Sequence, residues 1–328
     1  TLNYDDMARV AAAGDAVVGH VDHGAVRVVA GEPICPLDRL IEVVREFERE
    51  AARIGRRVCY LAAEDRLAAA LAGEPRYTRI VIGAHPILDP AQWPATLAAH
   101  ASLRAQLNRA RNKGVRVAEW IGGEAGADPG LRRCLARWLG ARGLPPLHFM
   151  VETETLGQLA DRRVFVARRD GVAAFLVASP IPLRHGWLVE QIVRDPAAPN
   201  GSAELVVASA VEALGRDGAR RVALGVAPLS GRDVGSDAGP AVAAMLRWAK
   251  AHGQRFYNVA GLERFKAKFQ PAVWEPVFAI SAEPAFSIGT LWAVAAAYCG
   301  GSRWRPGFAT ASQFLKQKML GCGRSGAG

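Results

Sequence analysis

Apolar positions along the first half of the chain switch between clustered runs and helical spacing. Residues 26–34 (VRVVAGEPI) and 57–61 (RVCYL) are short apolar runs that predict strands. Between them Leu37, Leu40, Ile41, Val44 and Phe47 recur at helical spacing, which predicts an amphipathic helix. Residues 79–82 predict a further strand, and a helix is expected after Pro94. Leu103, Leu107 and Ala110 form the inner stripe of that helix, and Gly114 supplies its stop. Residues 115–121 predict a strand. The stretch 122–130 (GGEAGADPG) reads as a linker, and Leu131, Cys134, Leu135, Trp138 and Leu139 share one face of a helix that connects the two halves.

The second half is patterned more sharply. Residues 164–168 (VFVAR) and 172–179 (VAAFLVAS) flank Arg169-Asp170-Gly171, a hairpin signal. A third strand is expected over 187–193, then a loop over 194–201 (RDPAAPNG). A helix follows on Leu205, Val206, Ala210, Val211 and Leu214, then a strand over 222–227, and a helix around Val242, Met245, Leu246 and Ala249. The stretch 255–276 (RFYNVAGLERFKAKFQPAVWEP) is expected to turn at Gly261 and to supply the last strand or strands. This order is similar to that of the acetyltransferase (GNAT) fold, and the first half repeats it more loosely. The expected fold is therefore α/β (α+β), with two tandem GNAT-like domains and mixed, mostly antiparallel sheets. Residues 1–125 form the first domain, 126–145 a linker and connecting helix, and 146–328 the second domain.

Composition adds a sign to this picture. The 328 residues are half hydrophobic and carry a formal net charge of +10, ordinary globular material with a preference for polyanions or anionic surfaces. Part of that charge is concentrated. Arg104, Arg109, Arg111, Lys113 and Arg116 fall between residues 101 and 116 with no acid among them. Exposed helices ordinarily mix signs for i,i+4 pairing, so a one-signed run points to phosphates. Arg264, Lys266 and Lys268 stand among Phe265 and Phe269, which suits an anion that has flat or apolar parts. Cysteines at 35, 59, 134, 299 and 322 have no paired spacing, which argues against a disulfide framework and a zinc finger. His20 and His23 lack the supporting ligands that a metal site needs. No stretch of about 20 apolar residues is present, the length a membrane-spanning helix requires.

Four blocks in order, LRAQLNRARNKG (103–114), APNGSAEL (198–205), LGVAPLSG (224–231) and GLERFKAKFQPAVWEP (261–276), resemble the C-terminal catalytic domain of the lysylphosphatidylglycerol synthases (multiple peptide resistance factors). The resemblance implies an aminoacyltransferase that moves an amino acid from aminoacyl-tRNA to the hydroxyl of a phosphatidylglycerol-type lipid. Aminoacyl-tRNA would be its co-substrate, with no cofactor and no metal. An anionic phospholipid or membrane surface would be its second partner. It further implies a peripheral position on the inner face of the cell membrane, and a transmembrane part is expected upstream.

Residue by residue, the resemblance carries over Arg194 at the end of the third strand, Asn200, Gly201 and Glu204 at the loop and helix start, and Lys266, Lys268, Trp274 and Pro276 in the terminal block. Arg104, Asn108 and Asn112 match the first-half helix, with Arg111 on the same face. Gln191 stands where the family has an acid, and Glu190 lies beside it. Other departures are Glu263, an additional residue between Pro271 and Trp274, and Ala84-His85 in place of an acidic pair. The implied catalytic set is Lys266, Lys268, Arg194, Glu190 and Glu204. Lys266 or Lys268 would stabilise an oxyanion or grip terminal phosphates of the tRNA. Arg194 would hold a phosphate, and Glu190 or Glu204 would bind an α-ammonium or assist proton transfer. Gln191, Asn200, Gly201, Arg264, Trp274, Arg104, Asn108, Arg111 and Asn112 would bind substrates. Two alternatives stay open: transfer to a peptide or other small acceptor, as in the Fem-type enzymes, and acyl-CoA-dependent N-acyl transfer. Against the latter, the 194–201 loop holds one glycine where acyl-CoA users need several.

Overall fold

A computed structural model of the chain describes residues 8–12, 16–141, 149, 155–230, 239–240, 242–244 and 259–298. Among them twelve strands join in one mixed sheet. The strands are β1 (Ala8–Ala12), β2 (Ala16–His23), β3 (Val26–Ala30), β4 (Arg57–Ala63), β5 (Thr78–Leu88), β6 (Arg116–Trp120), β7 (Arg163–Arg168), β8 (Val172–Ile181), β9 (Gly186–Arg194), β10 (Arg221–Ala223), β11 (Ala227–Pro228) and β12 (Val273–Ser281). Their order is β1-β2-β3-β4-β12-β5-β10-β9-β8-β7-β6, with β11 pairing β5 from outside that path. The β3–β4 and β9–β10 pairs are parallel and the others antiparallel.

Strands cross the sequence midpoint in both directions. β12 comes from the C-terminal part of the chain yet lies between β4 and β5 of the first half, and β6 leaves the first half to pair with β7. The sheet is covered on both faces, as its apolar strands require. In the first half α1 (Leu40–Arg53) and α2 (Asp65–Ala70) cover one face through Val43, Val44, Phe47 and Leu67. The other face is covered by the last described helix, α9 (Ile288–Tyr298), through Ala293 and Ala297. In the second half α7 (Ser202–Arg216) lies on one face together with α4 (Ala101–Asn112), while α6 (Pro129–Gly140) covers the other through Leu131, Cys134 and Leu135.

Several expectations change. The helix after Pro94 is two, α3 (Trp93–Ala99) and α4, broken at His100. The stretch read as a linker forms a short helix, α5 (Gly122–Ala127), and then Asp128, whose carboxylate caps α6 by accepting from the Leu131 N–H at 2.8 Å. The six residues of α5 include three glycines, which is why the composition reads as linker; burial of Ala125 holds it. Gly261 does not turn the chain but lies within α8 (Val259–Ala267), so only β12 of the terminal stretch is strand. Residues 255–258, and most of the helix expected around Val242 to Ala249, lie outside the described residues. β1 and β2 are additional to the expected elements.

Candidate active site

β9 and β10 pair in parallel for three residues, Arg221↔Gly186 to Ala223↔Leu188, and then separate. Gly225 makes the departure. It sits at φ +74°, and a Cβ there would lie 3.1 Å from the Val189 carbonyl oxygen. The chain then returns to β5 as β11, so the carbonyls of Gly225 and Val226 turn into the gap between the strands. Both accept from the Lys266 Nζ, each at 2.9 Å.

Lys266 occupies the last turn of α8 and is 5% exposed. Burial disfavours the ammonium form and brings its pKa down to about 7, so near neutrality both forms are populated. Two carbonyls hold two N–H groups. The remaining tetrahedral position of Nζ carries a proton in the ammonium and a lone pair in the amine. Such a group can give or take a proton without moving.

Lys268, two residues on, points elsewhere. Its Nζ lies 2.7 Å from the Glu204 Oε1 and 3.4 Å from the Gln106 Oε1, and 5.6 Å from the centre of the Phe265 ring. It joins the start of α7 to α4. Phe265 and Phe269 meet edge to face at 5.3 Å, and Phe269 continues to Trp93 at 6.5 Å, so these rings belong to the core. The helix ending at Ala267 is what sends the two lysines apart.

Beside Lys266 lies a polar cluster at the seam of the two halves. His85 on β5 faces Glu275 across the β12 ladder, and its Nε2 is 4.0 Å from Glu64. Burial lowers the imidazole pKa to about 4; the charges of Lys266 and Arg221 act in the same direction and those of Glu64 and Glu275 oppose them. His85 is thus neutral at pH 7. Arg221 forms a two-pronged pair with Glu275, whose carboxyl is held below the usual range chiefly by that bond, and Arg184 bridges to Glu64 at 2.6 Å. Glu64, Asp65, Arg184, Arg221, Glu275 and Pro276 line a cavity of about 400 Å³.

The remaining candidates are largely held by neighbours. Arg194 donates to the Ala198 carbonyl at 2.6 Å and to the Asn200 Oδ1 at 3.3 Å, which pins its own loop. The Ala197 and Ala198 N–H groups are taken by Asp195, and that of Ser202 by the Pro199 carbonyl. Gly201 stands at φ +93°, where a Cβ would fall 2.3 Å from the Gln106 carbonyl oxygen, so the glycine admits the backbone of α4 against the start of α7. Glu190 is the extra residue of a β-bulge opposite Val177 and Ala178. Its carboxylate is buried against Arg162 at 3.2 Å and hydrogen-bonded by Ser179. Gln191, next to it, is half-buried and opposes Val177.

On α4, Leu103, Leu107 and Ala110 are buried and Asn108, Arg109, Arg111, Asn112 and Lys113 are exposed, as the stripe predicts. Arg104 is exposed but donates to the Leu97 and Ala98 carbonyls at the end of α3. Arg264 is exposed on α8 and donates to the Ala260 carbonyl; Trp274 is half-buried on β12 opposite Pro86. Among the described residues no three His, Cys, Asp or Glu groups gather to hold a metal ion, and no helix is long and apolar enough to cross a membrane.

The family model described as phosphatidylglycerol lysyltransferase, C-terminal, matches residues 4–281. The chain belongs to that family. As a phosphatidylglycerol lysyltransferase C-terminal family member it is an aminoacyltransferase. Among solved structures it is similar to a C-terminal domain from Agrobacterium fabrum provisionally assigned as a lysylphosphatidylglycerol synthetase, at 22% identity and a TM-score of 0.75, covering 91% of each chain. L-PGS from Bacillus licheniformis is similar at 21% identity and a TM-score of 0.71, covering 91% of this chain and 90% of that one. FemX shares the fold at 8% identity and a TM-score of 0.56, with 84% and 88% covered. A comparison with curated protein sequences gave no match. The fold is the tandem acetyltransferase-like one expected from the element order.

Within this lysyltransferase-family fold, Glu64, His85, Arg184 and Arg221 are additional to the residues that sequence reasoning picked out. The only signals were the Ala84-His85 departure and the position of Glu275 in the Trp-Glu-Pro block. What gathers them is β12 lying on β5, a pairing of residues 190 positions apart that no local spacing reveals.

Proposed function

We propose that the chain transfers an aminoacyl group from aminoacyl-tRNA to a hydroxyl of phosphatidylglycerol, with Lys266 moving the proton. Lys266 itself carries the reading: a buried amine with its pKa brought to about 7, anchored on two carbonyls in the opening between β9 and β10. The acceptor hydroxyl oxygen attacks the ester carbonyl carbon while its proton passes to the amine lone pair. The tetrahedral intermediate then collapses. Its bond to the ribose oxygen of the terminal nucleotide breaks, and the Lys266 ammonium returns the proton to that oxygen. The donor is already an activated ester, so alignment and proton transfer suffice and no covalent enzyme intermediate is needed.

The other residues take supporting roles. Exposed Asn108, Arg109, Arg111, Asn112 and Lys113 on α4 meet the tRNA backbone, whose phosphates suit a one-signed face. Lys268 and Glu204 brace the seam beside them, and Arg194 and Asn200 shape the loop. That loop directs its Ala197, Ala198 and Ser202 N–H groups inward, which speaks against acyl-CoA as donor because a pyrophosphate would need them. The enzyme acts peripherally on the inner face of the membrane, needs no cofactor, and comprises two acetyltransferase-like units, 1–125 and 146–328 joined through 126–145, that exchange elements: β6 pairs in the second unit's part of the sheet and β12 in the first's.

The test is direct. Purified protein given tRNA charged with radiolabelled lysine and phosphatidylglycerol vesicles should yield labelled lipid. Lys266→Ala should lower kcat by about 10²–10³-fold, the usual effect of removing a proton-transfer or charge-stabilising group. Undiminished turnover in that variant would sink the reading.

A further inference from the structure

The turn between β8 and β9 presents an apolar tip that the fold does not need. It reads Pro180-Ile181-Pro182-Leu183, and Leu183 is 96% exposed, with Pro180 and Pro182 exposed beside it. Isolated exposed leucines are common and require no explanation. This one differs in its surroundings. His185, at φ +46°, closes the turn by donating its N–H to the Pro182 carbonyl, and its own carbonyl accepts the Arg220 N–H at 2.8 Å. Arg184, His185 and Arg220 therefore lie next to the tip; His185 and Arg220 are exposed, and Arg184 pairs with Glu64 at 2.6 Å and Glu275 at 3.7 Å. Arg184, the residue after Leu183, also lines the cavity shared by Glu64, Arg221 and Glu275.

An apolar point beside two arginines, one of them exposed, matches one surface in particular: a bilayer with anionic headgroups. The leucine can enter the acyl boundary while the guanidinium groups stay at headgroup level. The rigid turn suits such insertion because Pro180 and Pro182 restrict it beforehand, so little ordering is lost on docking.

We propose that the Pro180–His185 turn is the membrane-docking point of this enzyme, seating the mouth of the Arg184-lined cavity on an anionic lipid surface. The proposal rests on the lipid-acceptor reading above and adds the surface through which the lipid is approached. It fixes an orientation: the mouth of the cavity lined by Arg184 and Glu275 faces the bilayer.

Flotation with phosphatidylglycerol vesicles and with phosphatidylcholine vesicles tests it. Wild type should bind the anionic vesicles and bind the neutral ones at least about tenfold more weakly. Leu183→Glu should weaken binding to the anionic vesicles about tenfold or more, as removal of a fully inserted leucine implies. Arg220→Gln should weaken it about fivefold and reduce its salt sensitivity. Ile54→Glu, at another apolar residue that is 54% exposed, should bind as wild type does. Unchanged binding by Leu183→Glu, or an equal loss in Ile54→Glu, overturns the proposal. Leu183→Glu should retain wild-type transfer to phosphatidylglycerol dispersed in detergent, where no bilayer has to be met; loss of that transfer would mean that the turn serves the site rather than the membrane, and overturns it too. Absence of transfer by wild type to phosphatidylglycerol in any form would instead overturn the lipid-acceptor reading, while the flotation result still decides the docking point.

Discussion

The gap between β9 and β10 and the seam between α4 and α7 both receive a lysine from the same short stretch, and they treat it in opposite ways. The gap gives Lys266 neutral carbonyls and dry surroundings, so the amine comes near neutrality. The seam gives Lys268 a carboxylate at 2.7 Å and partial access to water, and the lysine becomes a cross-brace. Two residues of separation at a helix end give the two lysines of one motif opposite settings, one a buried amine suited to carrying a proton and the other an ion-paired tie. Whether a cation does chemistry is decided by what it is buried against, not by its place in the motif.

The sharpest way to break this contrast is to exchange the effects. Lys266→Ala is expected to remove about 10²–10³ of kcat in the transfer assay with little change in KM for tRNA. A loss appearing in KM alone would place Lys266 with binding instead. Next, Gly201→Ala forces a Cβ into the Gln106 carbonyl at a positive φ, and should cost about 2–3 kcal/mol in urea unfolding. Equal stability would mean that α4 and α7 are not pressed together there.

The pH dependence divides the two lysines further. If transfer needs the neutral amine of Lys266, kcat should fall about tenfold per unit below pH 7 and level off above it. Stability moves with it. The folded pKa lies below that of an unfolded lysine, so between about 7 and 10.5 the unfolded chain binds the extra proton and stability drops as pH falls through that window. Wild type should accordingly lose on the order of 1 kcal/mol per unit relative to Lys266→Met, measured by unfolding at pH 8 and 9. The smallest effect belongs to Lys268→Met. It leaves Glu204 without its ion pair, but the pair is partly hydrated, so about 1 kcal/mol of stability and less than tenfold of kcat are expected. A larger loss of activity than in Lys266→Ala would reverse the assignment.

What could be read from the sequence follows from how local each feature is. The hairpin at Arg169–Gly171, the α7 stripe and the buried face of α4 depend on neighbours within a few residues, and all three stand as expected. The helical state of Val259–Ala267 was masked by Gly261 and by the strand-like aromatics before it. The cluster of Glu64, His85, Arg184 and Glu275 was illegible because its members meet only through long-range pairing. Arg194 and Glu190 were legible as polar residues in a meaningful loop, yet their partners, Ala198 and Asn200 for one and Arg162 for the other, could be found only in three dimensions.

The position of β12 has a consequence for how the protein is made. The first half emerges from the ribosome with β4 and β5 lacking the strand that belongs between them, and that strand is synthesised some 190 residues later. Until residue 281 is out, two apolar strand edges wait open, a hazard for mispairing during translation. The last described strand is therefore the bolt that closes the first part made, and a nascent chain halted before it leaves β4 and β5 unjoined.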